Sequence, residues 1–181
     1  MIFFGSDWHF GHTNIIKYEK RPFANIDDMN HKMIENWNNK ITSSDSVYIL
    51  GDFILSKQEI AVEILRQLKG QKFLIKGNHD SIVKKPEVKK YFAWIKDYYS
   101  FNMDGNILIM CHYPFLTWDR SHYGSVNLYG HIHSNKCKNI KFNDNQYNVG
   151  VDINNFEPCT LDEVIQNNKT WMRKGENNAN L

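Results

Sequence analysis

The chain has 181 residues, of which 41% are hydrophobic and 23% charged, a composition typical of one globular domain. Its 22 Lys and Arg against 20 Asp and Glu give a net charge of +2, too small to indicate a nucleic-acid or membrane partner. Apolar runs are far shorter than the roughly twenty residues of a membrane helix, and the three Cys lack CxxC spacing. We therefore expect a cytoplasmic protein without disulfides, with one domain over residues 1–173 and a disordered tail over 174–181.

Short apolar runs along the chain have the length of buried strands. They occupy residues 2–4, 47–50, 73–75, 107–111 and 126–129. A β-hairpin is predicted where 98–103 and 106–111 flank Asp104-Gly105, a pair that favours a type I′ turn. Strands that alternate with helices indicate an α/β fold with parallel pairing, and the tighter later connections indicate that part of the sheet is antiparallel.

Helices between these strands are predicted from apolar periodicity and capping signals. One helix presents a single apolar face made by residues at helical spacing, namely Ile26, Met29, Met33, Trp37 and Ile41. A capping box at 56–59 is expected to open a second helix that Gly70 closes, and a capping box at 160–163 is expected to open the last one.

Polar side chains follow five of the predicted strands, at the point where each strand ends. They are Asp7 and His9, then Asp52, then Asn78, His79 and Asp80, then His112, and finally His131 and His133. Because ligands bind beyond the carboxyl ends of parallel strands, we expect these side chains to converge. Glycines at 51, 77 and 130 suit sharp turns or a close approach of the backbone to a ligand.

This set of imidazole, carboxylate and amide groups indicates a metal site. It exceeds the roughly four ligands of one tetrahedral zinc ion. It suits two metals about 3.5–4 Å apart that share a carboxylate, as in two-metal phosphoryl chemistry. Nitrogen and oxygen ligands without thiolate favour two divalent transition-metal ions, with Mn first and Fe, Zn, Ni or Co as alternatives, over Ca or Mg.

The five motifs in this order resemble those of the calcineurin-like metallophosphoesterase superfamily. The family pattern D-x-H, G-D, G-N-H-D/E, H and G-H-x-H is matched by Asp7-Trp8-His9, Gly51-Asp52, Gly77-Asn78-His79-Asp80, His112 and Gly130-His131-Ile132-His133. The resemblance implies an α/β fold that is a four-layer sandwich, with two mixed sheets flanked by helices. A His-Asn-His nuclease, which uses one metal, would leave Asp7, His9 and His131 unexplained.

The resemblance also implies a role for each motif residue. Asp7, His9 and His133 would bind the first metal, Asp52 would bridge, and Asn78, His112 and His131 would bind the second. His79 would act as proton donor, with Asp80 orienting it.

The expected function is metal-dependent hydrolysis of small, nucleotide-like phosphoesters, with phosphodiesterase capacity. His12 extends the first motif, and the insertion 114–123 is expected to lie beside the site and contact substrate through Trp118, Arg120 and His122. Two alternatives remain. One is a nuclease or nucleic-acid end-processing enzyme, for which the Lys pairs at 84–85 and 89–90 and Lys136, Lys138 and Lys141 would supply basic groups. The other is a non-catalytic scaffold of the same fold, which is less favoured because the motifs are intact.

Overall fold

The computed structural model describes residues 1–135 and 142–178. The first sheet contains four strands in the order β1 (Ile2–Gly5), β2 (Ser46–Ile49), β3 (Gln71–Ile75) and β4 (Phe92–Lys96). All three neighbouring pairs are parallel, so this sheet is not mixed as expected. The strand β4 has no counterpart among the predicted strands, although Phe92-Ala93-Trp94-Ile95 is a continuous apolar run.

The second sheet is mixed and also contains four strands. Their order is β5 (Tyr98–Met103), β6 (Asn106–Cys111), β7 (Val126–Tyr129) and β8 (Gln146–Asn148). The pair β5 and β6 is antiparallel, whereas β6–β7 and β7–β8 are parallel. The predicted hairpin is confirmed, since Asp104 and Gly105 both have positive φ, of 51° and 86°, as a type I′ turn requires.

Five α-helices connect and flank the sheets. They are α1 (Thr13–Tyr18), α2 (Ile26–Lys40), α3 (Gln58–Gln67), α4 (Pro86–Lys89) and α5 (Leu161–Asn178). The apolar face of α2 is confirmed, with Met29, Met33 and Trp37 buried. In the described part of the chain, no helix is long and apolar enough to cross a membrane. Helix α5 continues into the segment 174–181, of which residues 179–181 lie outside the described range.

The two predicted capping boxes have different outcomes. Thr160 and Glu163 form theirs: Thr160 N donates to Glu163 Oε2 over 2.8 Å, and Glu163 N donates to Thr160 Oγ1 over 3.4 Å. The prediction of a capping box at 56–59 is wrong. Lys57 is the N-cap of α3, and Ser56 Oγ donates to the Lys57 carbonyl instead. Helix α3 is therefore held by packing of its buried Ile64 and Leu65 rather than by its cap.

Two hydrophobic cores hold the layers together. One lies between the helices and the first sheet, and contains Phe3, Val47 and Trp37. The other lies between the two sheets, where Phe4 of the first sheet and Leu50, directly after β2, pack with Leu128 of the second. Both sheets bury one face in the second core. This packing places the carboxyl ends of β1, β2, β3, β6 and β7 at the same edge of the sandwich. The fold is the expected α/β arrangement of two sheets flanked by helices.

Truncating Leu128 tests the core between the sheets. Leu128 is fully buried, so Leu128→Ala is expected to lower the free energy of unfolding by about 2–5 kcal/mol through lost burial and an unfilled cavity. Leu116→Ala makes the same change at a side chain that is 92% exposed, and should stay within about 0.5 kcal/mol of wild type. Urea denaturation measures both; equal losses would contradict the packing described.

Candidate metal centre

The loops that follow β1, β2, β3, β6 and β7 meet at one edge of the sandwich. Backbone hydrogen bonds tie them together: Asp7 N donates to the Gly51 carbonyl over 3.0 Å, and Gly130 N donates to the His112 carbonyl over 2.9 Å. The predicted convergence of strand ends therefore occurs, and it involves loops from both sheets.

Six of the predicted ligands form two clusters at this edge. In each cluster, the candidate ligand atoms lie within 4.8 Å of one another. We call Asp7, His9 and His133 the first subsite, and Asp52, His112 and His131 the second subsite. Asn78 adjoins the second subsite, with its Oδ1 3.2 Å from His112 Nε2.

The Asp52 carboxylate lies between the two subsites. Its Oδ2 is 3.7 Å from His9 Nε2 and 3.5 Å from His112 Nε2. Its Oδ1 accepts a hydrogen bond of 2.8 Å from His79 N. Burial alone would raise the pKa of Asp52, but the hydrogen bond and positive charge of His112 outweigh it and lower the pKa to about 2. An ionised carboxylate between two imidazole nitrogens is the arrangement that a bridging ligand requires.

Three motif glycines leave the space that these side chains occupy. A Cβ built on Gly77 would lie 2.2 Å from Asp52 Oδ1, and one on Gly51 would lie 2.4 Å from His112 Nδ1. A Cβ on Gly130 would lie 2.6 Å from Asp7 Oδ2. The glycines therefore serve close approach to the ligands rather than only sharp turns.

Five candidate ligand residues have left-handed backbone conformations. The φ angles are 57° for Asp7, 51° for His9, 51° for Asp52, 71° for His131 and 51° for His133. Such conformations are uncommon outside glycine and cost free energy, so they persist where the surrounding structure enforces them. Their concentration at one edge indicates that backbone strain is accepted here to direct the side chains.

The donor atoms fit divalent transition-metal ions. His9 Nε2 is buried and has no hydrogen-bond partner, an arrangement that costs free energy unless another group binds the nitrogen. Burial lowers the pKa of His9 to about 3, so its ring is neutral and keeps a lone pair. Nitrogen and carboxylate donors in two adjacent clusters match the preferences of Mn, Fe, Co, Ni and Zn.

The buried His112 and the half-buried His133 are both held through Nδ1. His112 Nδ1 donates to the Leu50 carbonyl over 2.8 Å, and His133 Nδ1 lies 2.8 Å from Asp152 Oδ2. Burial would lower the pKa of His133, but the Asp152 hydrogen bond outweighs it and raises that pKa. A histidine fixed in this way presents Nε2 to a metal with a defined ring orientation.

Sequence reasoning missed three residues of the site. Asp152 contacts His133, and Arg21 contacts Asp152, with Nε 2.8 Å from Oδ1. Tyr113, 44% exposed, donates from its hydroxyl to Asn78 Oδ1 over 3.4 Å and stacks edge-on with the His131 ring, at a centroid distance of 4.8 Å. Arg21 and Asp152 belong to no motif, and only the position of Tyr113 directly after His112 was a usable signal.

Asp80 has a different role from the expected one. Its Oδ2 accepts from Asp52 N over 2.8 Å and from Gly77 N over 2.7 Å, and its Oδ1 accepts from Phe53 N over 2.9 Å. The carboxylate thus holds the loops after β2 and β3 together instead of orienting the His79 ring. This replaces the expectation that Asp80 acts directly on His79.

His79 and His12 both lie beside the first subsite. The His79 ring is exposed, and its centroid is 5.5 Å from that of His9. His12 Nδ1 is 3.4 Å from His9 Nδ1, and burial lowers the pKa of His12. Both side chains are therefore placed where a molecule bound at the metal centre would meet them.

The structure places the other three predicted substrate contacts elsewhere. Trp118 is buried and donates from Nε1 to Ser125 Oγ over 3.0 Å, so it packs under its own loop. Arg120 shares a pocket with Gly105, and His122 shares one with Trp118. The surroundings of these three side chains lie at the amino-terminal ends of β6 and β7, whereas His112 follows the carboxyl end of β6. Because a strand rises about 3.3 Å per residue, the two ends of β6 are roughly 20 Å apart. Trp118, Arg120 and His122 therefore do not reach the metal centre, because the insertion that begins beside it folds back along the second sheet.

The basic groups considered for nucleic acid are only partly described. Lys84, Lys85, Lys89 and Lys90 are exposed, and Lys90 pairs with Glu87 at 2.8 Å. Lys136, Lys138 and Lys141 lie outside the described residues.

A sequence model of calcineurin-like phosphoesterases matches residues 2–171. The chain belongs to that family. It is 36% identical over 170 residues to protein MJ1445 of Methanocaldococcus jannaschii, covering 91% of this chain and 89% of that protein. The Gene 66 protein of Mycobacterium phage D29 is 29% identical over 178 residues, covering 83% and 87%. The crystal structure of AQ665 from Aquifex aeolicus superposes with a TM-score of 0.72 and 27% identity, covering 92% of this chain and 98% of that one. The family is one of dinuclear metal-dependent phosphoesterases, in agreement with the two subsites.

Gly77→Ala tests whether close approach of the backbone shapes the metal centre. The new methyl group would overlap Asp52 Oδ1, which must move, so affinity for Mn²⁺ is expected to fall about tenfold or more. Gly105→Ala is the control, since a Cβ there meets nothing within 4 Å and only the positive φ is unfavourable. Equilibrium dialysis with metal analysis measures the affinity; wild-type binding by Gly77→Ala would contradict this arrangement.

Proposed function

We propose that this chain is a dinuclear metallophosphoesterase that hydrolyses small, nucleotide-like phosphoesters and has phosphodiesterase capacity. The observation that carries the proposal is the ionised Asp52 carboxylate between two subsites, beside an unpartnered His9 Nε2. The first subsite would hold one metal ion, and the second subsite with Asn78 would hold another, with Asp52 shared between them. Mn is proposed as the metal. When bound, such ions supply Lewis acidity that activates water and neutralises phosphoryl charge.

The protein's own groups would position the substrate and move a proton. His79 is exposed beside the first subsite, and its backbone N–H is fixed by Asp52. From this position a protonated ring can donate to a departing alkoxide oxygen, which is general-acid catalysis. His12, within reach of both His9 and His79, lies where it would contact the same phosphate group.

Tyr113 supports the nucleotide-like substrate class. Its ring is 44% exposed and lies against His131 at the edge of the metal centre. An exposed aromatic ring beside a phosphate site offers a surface on which a base can stack, worth roughly 1–3 kcal/mol per base. The exposed positions of Asn78, His79 and His131 leave the metal centre open to substrates with a second ester group.

Removing His79 separates proton transfer from metal binding. His79→Ala is expected to lower kcat by about 10²–10⁴-fold, because the departing alkoxide loses its proton donor. Metal content should stay at the wild-type value, since the side chain belongs to neither subsite. His31→Ala, at an exposed position of α2, is the matched control and should keep full activity. Undiminished turnover by His79→Ala would contradict the role of His79 as proton donor.

Replacing Asp52 should instead deplete the metal. Asp52→Asn keeps the shape of the side chain but removes the charge shared by the subsites, so we expect less than half of the wild-type metal per chain. Asp119→Asn is the control, an exposed residue on the distant insertion. Mass-spectrometric metal analysis of protein purified without chelator gives both values. An unchanged metal content in Asp52→Asn would exclude the bridging role.

A substrate panel tests the reaction class. The purified protein with Mn²⁺ is assayed on para-nitrophenyl phosphate, its bis-ester, cyclic nucleotides and dinucleoside polyphosphates. Hydrolysis of the bis-ester and of a nucleotide substrate supports the proposal. Cleavage of the mono-ester alone would contradict phosphodiesterase capacity, and preferential cleavage of DNA or RNA with steep salt dependence would favour the nuclease alternative.

A further inference from the structure

Arg21 is a buried cation that connects two of the loops at the metal centre. Its side chain is fully enclosed. Its Nη2 donates to the Asp7 carbonyl over 2.6 Å and its Nη1 donates to the Trp8 carbonyl over 2.9 Å. These two carbonyls belong to the loop after β1, which carries Asp7 and His9. The guanidinium therefore fixes the backbone from which two ligands of the first subsite project.

Asp152 connects Arg21 to the third ligand of the same subsite. Arg21 Nε lies 2.8 Å from Asp152 Oδ1, and Arg21 Nη2 lies 3.0 Å from Asp152 Oδ2. The same Oδ2 is 2.8 Å from His133 Nδ1. The side chain of Asp152 is only 4% exposed, so water does not compete for these contacts. One buried ion pair thus contacts both loops that supply the first subsite.

The surroundings hold this ion pair in place. The Phe156 ring packs against Arg21, with the guanidinium carbon 5.6 Å from the ring centroid. Phe156 and Asn155 both have φ of 56°, a strained conformation for a bulky aromatic residue. The loop that carries Asp152 therefore adopts an unfavourable backbone while its phenyl ring covers Arg21, which is typical of a segment with a fixed geometric task.

The second subsite has no comparable ion pair among the described residues. His112 is held by a backbone carbonyl, that of Leu50, over 2.8 Å. A carbonyl is a neutral acceptor, whereas Asp152 is a carboxylate held by a guanidinium. A carboxylate behind a metal-ligating histidine fixes the ring and increases its donor strength. The two subsites therefore differ in what orients their histidines.

We propose that Arg21 and Asp152 are positioning residues that act selectively on the first subsite. They fix the loop of Asp7 and His9, orient His133 through Nδ1, and make this subsite the tighter of the two for a divalent cation. The inference rests on the dinuclear centre of the proposed function. It adds an asymmetry: metal loads the first subsite before the second, and loss of the ion pair reverses that order.

The test isolates each subsite before Asp152 is changed. His112→Ala disables the second subsite, so that Mn²⁺ binding to this variant reports the first. His133→Ala disables the first subsite and reports the second. Asp152→Asn is then added to each background, and Mn²⁺ binding is measured by equilibrium dialysis and by electron paramagnetic resonance. Removing such an outer partner is expected to weaken metal binding about 10–100-fold in the His112→Ala background and to leave the His133→Ala background unchanged.

Two further variants guard against a merely structural effect. Asp45→Asn makes the same change at another buried aspartate, which pairs with Thr42 and the terminal amine of Met1 far from the metal centre, and it should leave both affinities unchanged. Arg21→Lys keeps the charge but loses the paired contacts, and should weaken the first subsite selectively. If Asp152→Asn does not fold, as judged by circular dichroism, the result with Arg21→Lys alone tests the selective role at the first subsite.

The outcomes separate the inference from the proposed function. Equal weakening of both subsites, or no weakening of the first, overturns the selective role of Arg21 and Asp152 while the dinuclear centre stands. Failure of the unsubstituted protein to bind Mn²⁺ overturns the centre itself. Selective loss at the first subsite supports both.

Discussion

The burial of several carboxylates at one edge of the sandwich is the constraint on which the rest of the structure depends. A buried charge is costly unless paired or hydrogen-bonded, and four such groups lie close together here. Asp7 accepts from His131 N, Asp80 from three backbone amides, and Asp152 from Arg21. Asp52 accepts from a backbone amide through one oxygen and directs the other at two imidazoles. The loops adopt their conformations largely because they must supply these donors.

The constraint also explains why both sheets are needed. Asp7 and Asp52 follow strands of the first sheet, whereas His112 and His133 follow strands of the second. Packing between the sheets brings the two sets of strand ends to within bonding distance. The metal centre is thus a consequence of how two sheets pack, and neither sheet alone contains a complete subsite.

Local patterns predicted much of this arrangement. Four of the five apolar runs lie within a strand, and the run 47–50 extends one residue beyond β2. The polar residues after them converge, since the carboxyl ends of parallel strands share an edge. The sequence did not reveal Arg21 or Asp152, because an ion pair 131 residues apart leaves no periodic signal. The position of the insertion at 114–123 was wrong for a related reason: its aromatic side chains indicate packing without saying against which surface. The metal-ligand roles and the tail over 174–181 stay predictions.

The left-handed backbone at five candidate ligand positions has a consequence for how such a centre diversifies. A replacement there must both bind a metal and tolerate positive φ, and among donors Asn, Asp and His do so most readily. Glutamate and cysteine meet the first requirement but adopt positive φ less readily. Backbone geometry therefore favours short oxygen and imidazole donors over thiolates at these positions, independently of any selection for catalysis.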